Sequence, residues 1–263
     1  MKSAQPKVVL FTDLDGCLLN KADYNYKPTL PVLARCVQMQ IPVVFASSKT
    51  GSEMQHLAQE IGIERAPLIC ENGGLILWRD NEDRREVTGA PREEILAVLR
   101  DLKDEFSFRS FADLGLAGVM ETTSLPENKA RLALDRHSTE PLLWDDASDK
   151  LESFTERMTA EGLSFTRGGR FWHVAGQATK GGAMSKVAAA MGQGSTVQTI
   201  AVGDSPIDQS MLSIADYPVG IPAPDGSHNV TIDPHKGRFA SVDGAAGWAE
   251  AIGGLLDQLS AGR

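Results

Sequence analysis

The apolar run Val8-Val9-Leu10-Phe11 stops abruptly at Asp13-Leu14-Asp15-Gly16-Cys17-Leu18, which sets two carboxylates two residues apart. A short continuous apolar run reads as a strand buried on both faces, the kind found in parallel sheets covered by helices. Open sheets of that kind place their chemistry at the carboxyl ends of the strands. Two unpaired acids there would be costly, so the pattern calls for a cation. One acid can attack phosphorus while the other protonates the leaving group, provided Mg²⁺ screens the incoming phosphate. Read without that chemistry, the segment is a strand followed by an acidic, glycine-containing turn.

Three further segments carry matching signals. Ser47-Ser48-Lys49-Thr50 follows the buried-strand run Ile41-Pro42-Val43-Val44-Phe45-Ala46, which puts hydroxyls at a second strand end. Lys180 opens a helical pattern over 180–191 behind the N-cap candidate Thr179, and a cation beside free helical N–H groups suits an anion. Gly203-Asp204-Ser205-Pro206-Ile207-Asp208 closes the apolar run from Val197 to Val202 with two more acids.

In that order the four segments resemble the signature of the haloacid dehalogenase-like phosphatases: DxDGT, a serine or threonine, a lysine, and GDxxxD. The resemblance implies an α/β fold, a Rossmann-like parallel sheet core with an inserted α+β cap domain. It makes Asp13 the nucleophile and Asp15 the acid and base, with Ser47 and Lys180 binding the transferring phosphoryl group. Mg²⁺ would sit on Asp13, the backbone carbonyl of Asp15, and Asp204. Asp208 would be an outer ligand or the partner of Lys180. Two positions depart from the pattern: Cys17 stands for the usual threonine and Ile207 for the asparagine before the last aspartate.

The order of apolar runs organises the chain. Strand and helix alternate from 7 to about 78, the βαβα order of a parallel sheet with right-handed crossovers. Glu71-Asn72-Gly73-Gly74 reads as a hairpin turn, and the charged stretch 79–86 as a solvated hinge or hairpin tip. A new unit begins there, with helices at 91–106, at 148–160, and one opened by Ser124-Leu125-Pro126-Glu127, which has capping-box spacing. Strands are expected at 138–144, 163–166 and 171–174. The βα pattern resumes at Thr179. The expected division is therefore a core of 1–80 plus 176–263 and a cap of 81–175.

Composition narrows the partners. A formal charge of −9 over 263 residues argues against a nucleic-acid or anionic-membrane surface. Three cysteines without CxxC spacing support neither a disulfide framework nor a zinc site. The start of the chain is too short in apolar residues for a signal or a membrane span, so a cytoplasmic enzyme with a small-molecule substrate is expected, with no oligomeric state assigned.

The insert names a substrate class by a second resemblance. Segments 131–141, with Arg136-His137-Ser138-Thr139-Glu140-Pro141, and 168–174, with Arg170-Phe171-Trp172-His173, are its most distinctive parts. Together with Ser47-Ser48-Lys49-Thr50 and Glu71-Asn72-Gly73-Gly74 they resemble the mannosyl-3-phosphoglycerate phosphatases. That likeness implies substrate contacts at Ser48, Lys49, Asn72, Arg136, Ser138, Glu140, Arg170 and His173. A guanidinium suits the glycerate carboxylate, and Glu, Ser and His suit sugar hydroxyls. The alternatives are a broad sugar-phosphate or glucosyl-3-phosphoglycerate phosphatase and a phosphohexomutase. A capless phospho-accepting module is disfavoured by the insert, and a non-catalytic binding protein is the reading that Cys17 and Ile207 leave open.

Overall fold

The computed structural model describes residues 7–63, 65–79, 84–167 and 171–261. The chain opens with β1 (Val8–Thr12), α1 (Leu30–Gln38), β2 (Val43–Ala46), α2 (Gly51–Ile61), β3 (Leu68–Cys70), β4 (Leu75–Trp78) and β5 (Arg84–Val87). The insert follows with α3 (Arg92–Asp101), β6 (Phe108–Ser110), α4 (Phe111–Thr123), α5 (Glu127–Leu134), β7 (Thr139–Trp144), α6 (Lys150–Ala160), β8 (Ser164–Arg167) and β9 (Trp172–Ala175). The chain closes with α7 (Lys180–Gly192), β10 (Gln198–Gly203), α8 (Gln209–Leu212), β11 (Tyr217–Gly220), β12 (Arg238–Phe239) and α9 (Gly244–Ala261).

The large sheet has the order β12-β11-β10-β1-β2-β3-β4-β5, parallel from β12 to β3 and antiparallel over β4 and β5. Alternation along β1 explains its two-sided burial. Val8 and Leu10 face α1, α2 and α9, while Val9 and Phe11 face α7 and α8. Strand order reverses at β1, between β10 and β2, which opens the crevice at the carboxyl ends of β1 and β10.

The insert builds a separate antiparallel sheet, β6-β7-β9-β8. Leu142, Phe165 and Val174 on one face pack with Ile95 and Leu99 of α3 and Phe154 and Met158 of α6. Four details differ from the sequence reading. Arg84–Val87 pairs antiparallel with β4 as an exposed, charged edge strand, the hairpin alternative for this stretch, so the large sheet extends past the boundary expected at residue 80. The strand β6 and the helix α4 were not anticipated, because Gly115 at φ +58° and further glycine mask the helical pattern. Among the described residues of the insert the capping box lies at Ser110 and Asp113, not at Ser124, which ends α4 in the left-handed region and so cannot adopt N-cap geometry. α3 also ends at Asp101, short of the expected 106. No helix among the described residues is long and apolar enough to cross a membrane.

Candidate active site

β1 ends at Thr12, whose hydroxyl accepts from the Trp248 indole at 2.9 Å and donates to the Asp13 carbonyl at 2.7 Å. The Asp13 amide donates to the Val202 carbonyl of β10 at 2.9 Å. Asp13 is thus held from α9 and from β10 at the end of the central strand. The chain then turns through Gly16 at φ +94°, where a Cβ would stand 2.7 Å from Asp204 Oδ2. Glycine alone satisfies both the turn and the close approach of the two acidic loops.

Lys180 is the first residue of α7, whose N-cap Thr179 accepts from the Gly182 amide at 3.1 Å. Its ammonium donates to Asp13 Oδ1 and to Asp208 Oδ1, each at 2.6 Å. The other Asp208 oxygen accepts from the Asp204 amide, the Ser205 amide and the Ser205 hydroxyl at 3.2, 3.0 and 2.7 Å. Asp208 is fully buried and its bonds are spent, so it locks Lys180 to the β10 loop. Ser47 is buried at the end of β2; its amide donates to the Ile69 carbonyl and its hydroxyl accepts from the Lys49 amide at 3.3 Å.

Charge in this crevice is unbalanced. Burial works against the Lys180 charge, yet Asp13 and Asp208 outweigh it and hold the ammonium well above the ordinary lysine range. Burial, opposed by Lys180 and reinforced by Asp208 and Asp204, pushes Asp13 up to about 8. Burial and then Asp208 push Asp204 up to about 6. Three buried carboxylates thus lie together with one buried ammonium that pairs with two of them, Asp13 and Asp208, an arrangement short of positive charge. Asp13, Cys17 and Asp204 bring one ligand atom each within 4.8 Å of one another. Burial, followed by the neighbouring acids, raises the Cys17 thiol well above its usual range, and it donates to Asp204 Oδ1 at 3.6 Å. Hard carboxylate oxygens around a charge deficit fit Mg²⁺, with Asp13 and Asp204 as the holding side chains.

The remaining sequence candidates divide into groups. Lys49 pairs with Asp15 Oδ2 at 2.7 Å, Ser48 is half-buried beside it, and the Asn72 amide donates to the Ser47 carbonyl at 2.9 Å. Asp15 Oδ1 and Asn72 Oδ1 are buried acceptors without a partner among the described residues. Arg136 donates to Thr139 Oγ1 at 2.7 Å and lies 5.8 Å from the Phe111 ring centroid, its Nε buried without a partner among the described residues. His173 stands opposite Pro141, hence on the same sheet face as Thr139, and burial, then Arg136, lowers its pKa to about 4.

Two expected substrate contacts are corrected. Ser138 and Glu140 are fully buried, on the opposite side from Thr139. The Ser138 hydroxyl donates to the Ala90 carbonyl, and Glu140 accepts from Arg92 and from the Ala112 amide, both at 2.7 Å. Arg170 lies outside the described residues. One residue of the expected turn does more than turn the chain: Glu71, buried at the β3–β4 hairpin, accepts from the His137 amide, the Ser138 amide and the Thr139 hydroxyl at 2.8, 3.0 and 2.6 Å. It joins the large sheet to the insert. A charged side chain in a hairpin otherwise built for tight packing was the available signal.

Fold and site together define an α/β protein with a carboxylate and lysine centre at the point where strand order reverses, beneath an inserted second sheet. The family model for haloacid dehalogenase-like hydrolases matches residues 10–223, and the chain belongs to that family. The fold is similar to that of a haloacid dehalogenase-like hydrolase from Bacteroides thetaiotaomicron, at 18% identity and a TM-score of 0.71 over 95% of this chain and 99% of that one. It is also similar to Thermoplasma acidophilum 0175, at 17% identity and a TM-score of 0.68 over 97% and 99%. A third likeness is to BT1666 from Bacteroides thetaiotaomicron, analysed among phosphatases of the haloalkanoate superfamily, at 17% identity and a TM-score of 0.67 over 98% and 97%.

Proposed function

We propose that the chain is a Mg²⁺-dependent phosphatase that cleaves a phosphate monoester through an aspartyl phosphate, with mannosyl-3-phosphoglycerate as its substrate and mannosylglycerate, a compatible solute, as product. The observation that carries the reaction class is Lys180 bridging Asp13 and Asp208 at 2.6 Å each, with Ser47 at the neighbouring strand end. An Asp13 oxygen attacks phosphorus, and the bond from phosphorus to the ester oxygen breaks. Asp15 gives its proton to the departing alkoxide, then takes one from the water that hydrolyses the aspartyl phosphate and releases inorganic phosphate. Lys180 and the Ser47 hydroxyl neutralise and orient the transferring phosphoryl oxygens. Mg²⁺, when bound by Asp13, Asp204 and the Asp15 carbonyl, supplies charge neutralisation to those oxygens.

The substrate rests on the resemblance of the insert and on Arg136, a guanidinium whose buried Nε has no partner among the described residues and whose chemistry suits a carboxylate. The division into a core that carries the large sheet and a cap that carries the insert sheet is part of the same proposal, with β5 (Arg84–Val87) on the core side of the boundary expected at residue 80. Phosphate release over mannosyl-, glucosyl- and free 3-phosphoglycerate, with and without Mg²⁺, tests it. Asp13→Asn in the same assay should lose at least about 10³-fold in turnover, since covalent catalysis has no substitute group. No Mg²⁺-dependent release from any ester would refute the reaction class, and a preference for another sugar would refute the substrate alone.

A further inference from the structure

A cleft of about 400 Å³ runs between the loop after β1, α2 and α5, and Lys49, Tyr24, Tyr26, His56, Glu60 and Lys129 line it. One of its lining residues, Lys49, connects it to the candidate acid. Lys49 reaches Asp15 Oδ2 at 2.7 Å, and its ammonium lies 5.3 Å from the centroid of the Tyr24 ring. Tyr24 is 56% exposed, and its backbone sits at φ +55°, a left-handed conformation that a bulky residue adopts at a cost. The left-handed backbone at Tyr24 goes with a ring that lines the cleft beside the Lys49 ammonium. The Tyr26 hydroxyl donates to Glu60 at 2.9 Å, which fixes a second aromatic and a carboxylate on the same wall.

Aromatic faces, leucine side chains, the carboxylates Glu53 and Glu60 and cationic donors together suit a ligand that carries both apolar faces and hydroxyls. A pyranose has apolar C–H faces that suit a ring, and hydroxyls that both donate and accept, so they need acceptors such as Glu60 and donors such as Lys129 and His56. A purely anionic group would have no use for Glu60 or for the rings. We propose that this cleft is the subsite for the glycosyl unit of the leaving group, with Tyr24 as its platform and specificity-determining residue and Glu60, His56 and Lys129 reading its hydroxyls. This rests on the phosphatase reading and adds to it the place where the sugar lies, away from the insert sheet. It leaves Arg136 for the carboxylate nearer the phosphorus.

The test compares wild type, Tyr24→Ala and Tyr24→Phe on mannosyl-3-phosphoglycerate and on free 3-phosphoglycerate, which lacks the sugar. The ratio of kcat/KM for the first to the second should fall about tenfold in Tyr24→Ala, the loss of one apolar ring contact, and should be largely restored in Tyr24→Phe. An unchanged ratio in Tyr24→Ala, or failure of Tyr24→Phe to restore it, overturns the platform. Binding of the phosphate-free product, mannosylglycerate, read by saturation-transfer NMR, separates the subsite from the chemistry because it requires no turnover. Sugar signals that weaken in Tyr24→Ala support the subsite even if no ester is cleaved. Signals that are the same in the variant, or absent in wild type, overturn it even if esters are cleaved.

Discussion

Removing the Glu71 carboxylate should uncouple the insert from the large sheet. Glu71 is 1% exposed and accepts three hydrogen bonds, from the amides of His137 and Ser138 and the hydroxyl of Thr139. In Glu71→Ala all three donors lose this acceptor, and each unsatisfied buried donor costs about 1 to 3 kcal/mol. Relief of the buried charge offsets part of that sum. The expected net loss is about 3 to 5 kcal/mol. Glu71→Gln can keep the oxygen facing Ser138 and Thr139 but presents an NH₂ to the His137 amide, so about 1 to 2 kcal/mol should be lost. Urea denaturation of the three proteins measures the totals. Hydrogen exchange at the 137 and 138 amides locates them, because those two should lose protection before the β1 amides do. An Ala variant within 0.5 kcal/mol of wild type, a margin typical of surface changes, would refute the clasp.

Asp204→Ala removes one of the two carboxylates offered to the cation and should raise the Mg²⁺ concentration for half-maximal rate at least about tenfold or abolish activity; an unchanged metal titration counts against the assignment. Arg136→Ala should lower the selectivity for mannosyl-3-phosphoglycerate over para-nitrophenyl phosphate by about 10- to 150-fold, the worth of one charge-assisted contact. Equal effects on the two substrates would make Arg136 a support for Thr139 instead. His173 takes up a proton near pH 4 when folded and near 6.5 when unfolded, so its contribution is lost as pH falls through that window. At pH 5 the loss is about 1 to 2 kcal/mol, the lower end reflecting its partial exposure, and His173→Gln should flatten the fall in denaturation midpoint between pH 7 and 5; an imidazole titrating at pH 6 or above by NMR would overturn this.

Much of the site was legible because its parts are local. Asp13 and Asp15, Ser47, Lys180, and Asp204 with Asp208 each lie at the end of an apolar run or the start of a helical pattern, so covalent neighbours reveal them. The pairings were not legible. Lys180 meets Asp13 across 167 positions and Asp208 across 28, separations closed by the parallel register of β1 and β10 together with the packing of α7 on the sheet.

The insert shows the same division from the other side. Three of its strands, β7, β8 and β9, were visible from composition, yet alternation alone cannot say which face meets helices. Packing of α3 and α6 against Leu142 decides that, and it sends Glu140 to Arg92 while leaving Thr139 for Glu71. Sequence by itself determined the α/β class, the alternation of strand and helix on either side of the insert and the chemical kinds of the site residues, because periodicity and chain order are local properties. Tertiary structure decided which acid holds the lysine, which strand face turns toward the core and where Tyr24 presents its ring, because those depend on register and packing between segments far apart in the chain.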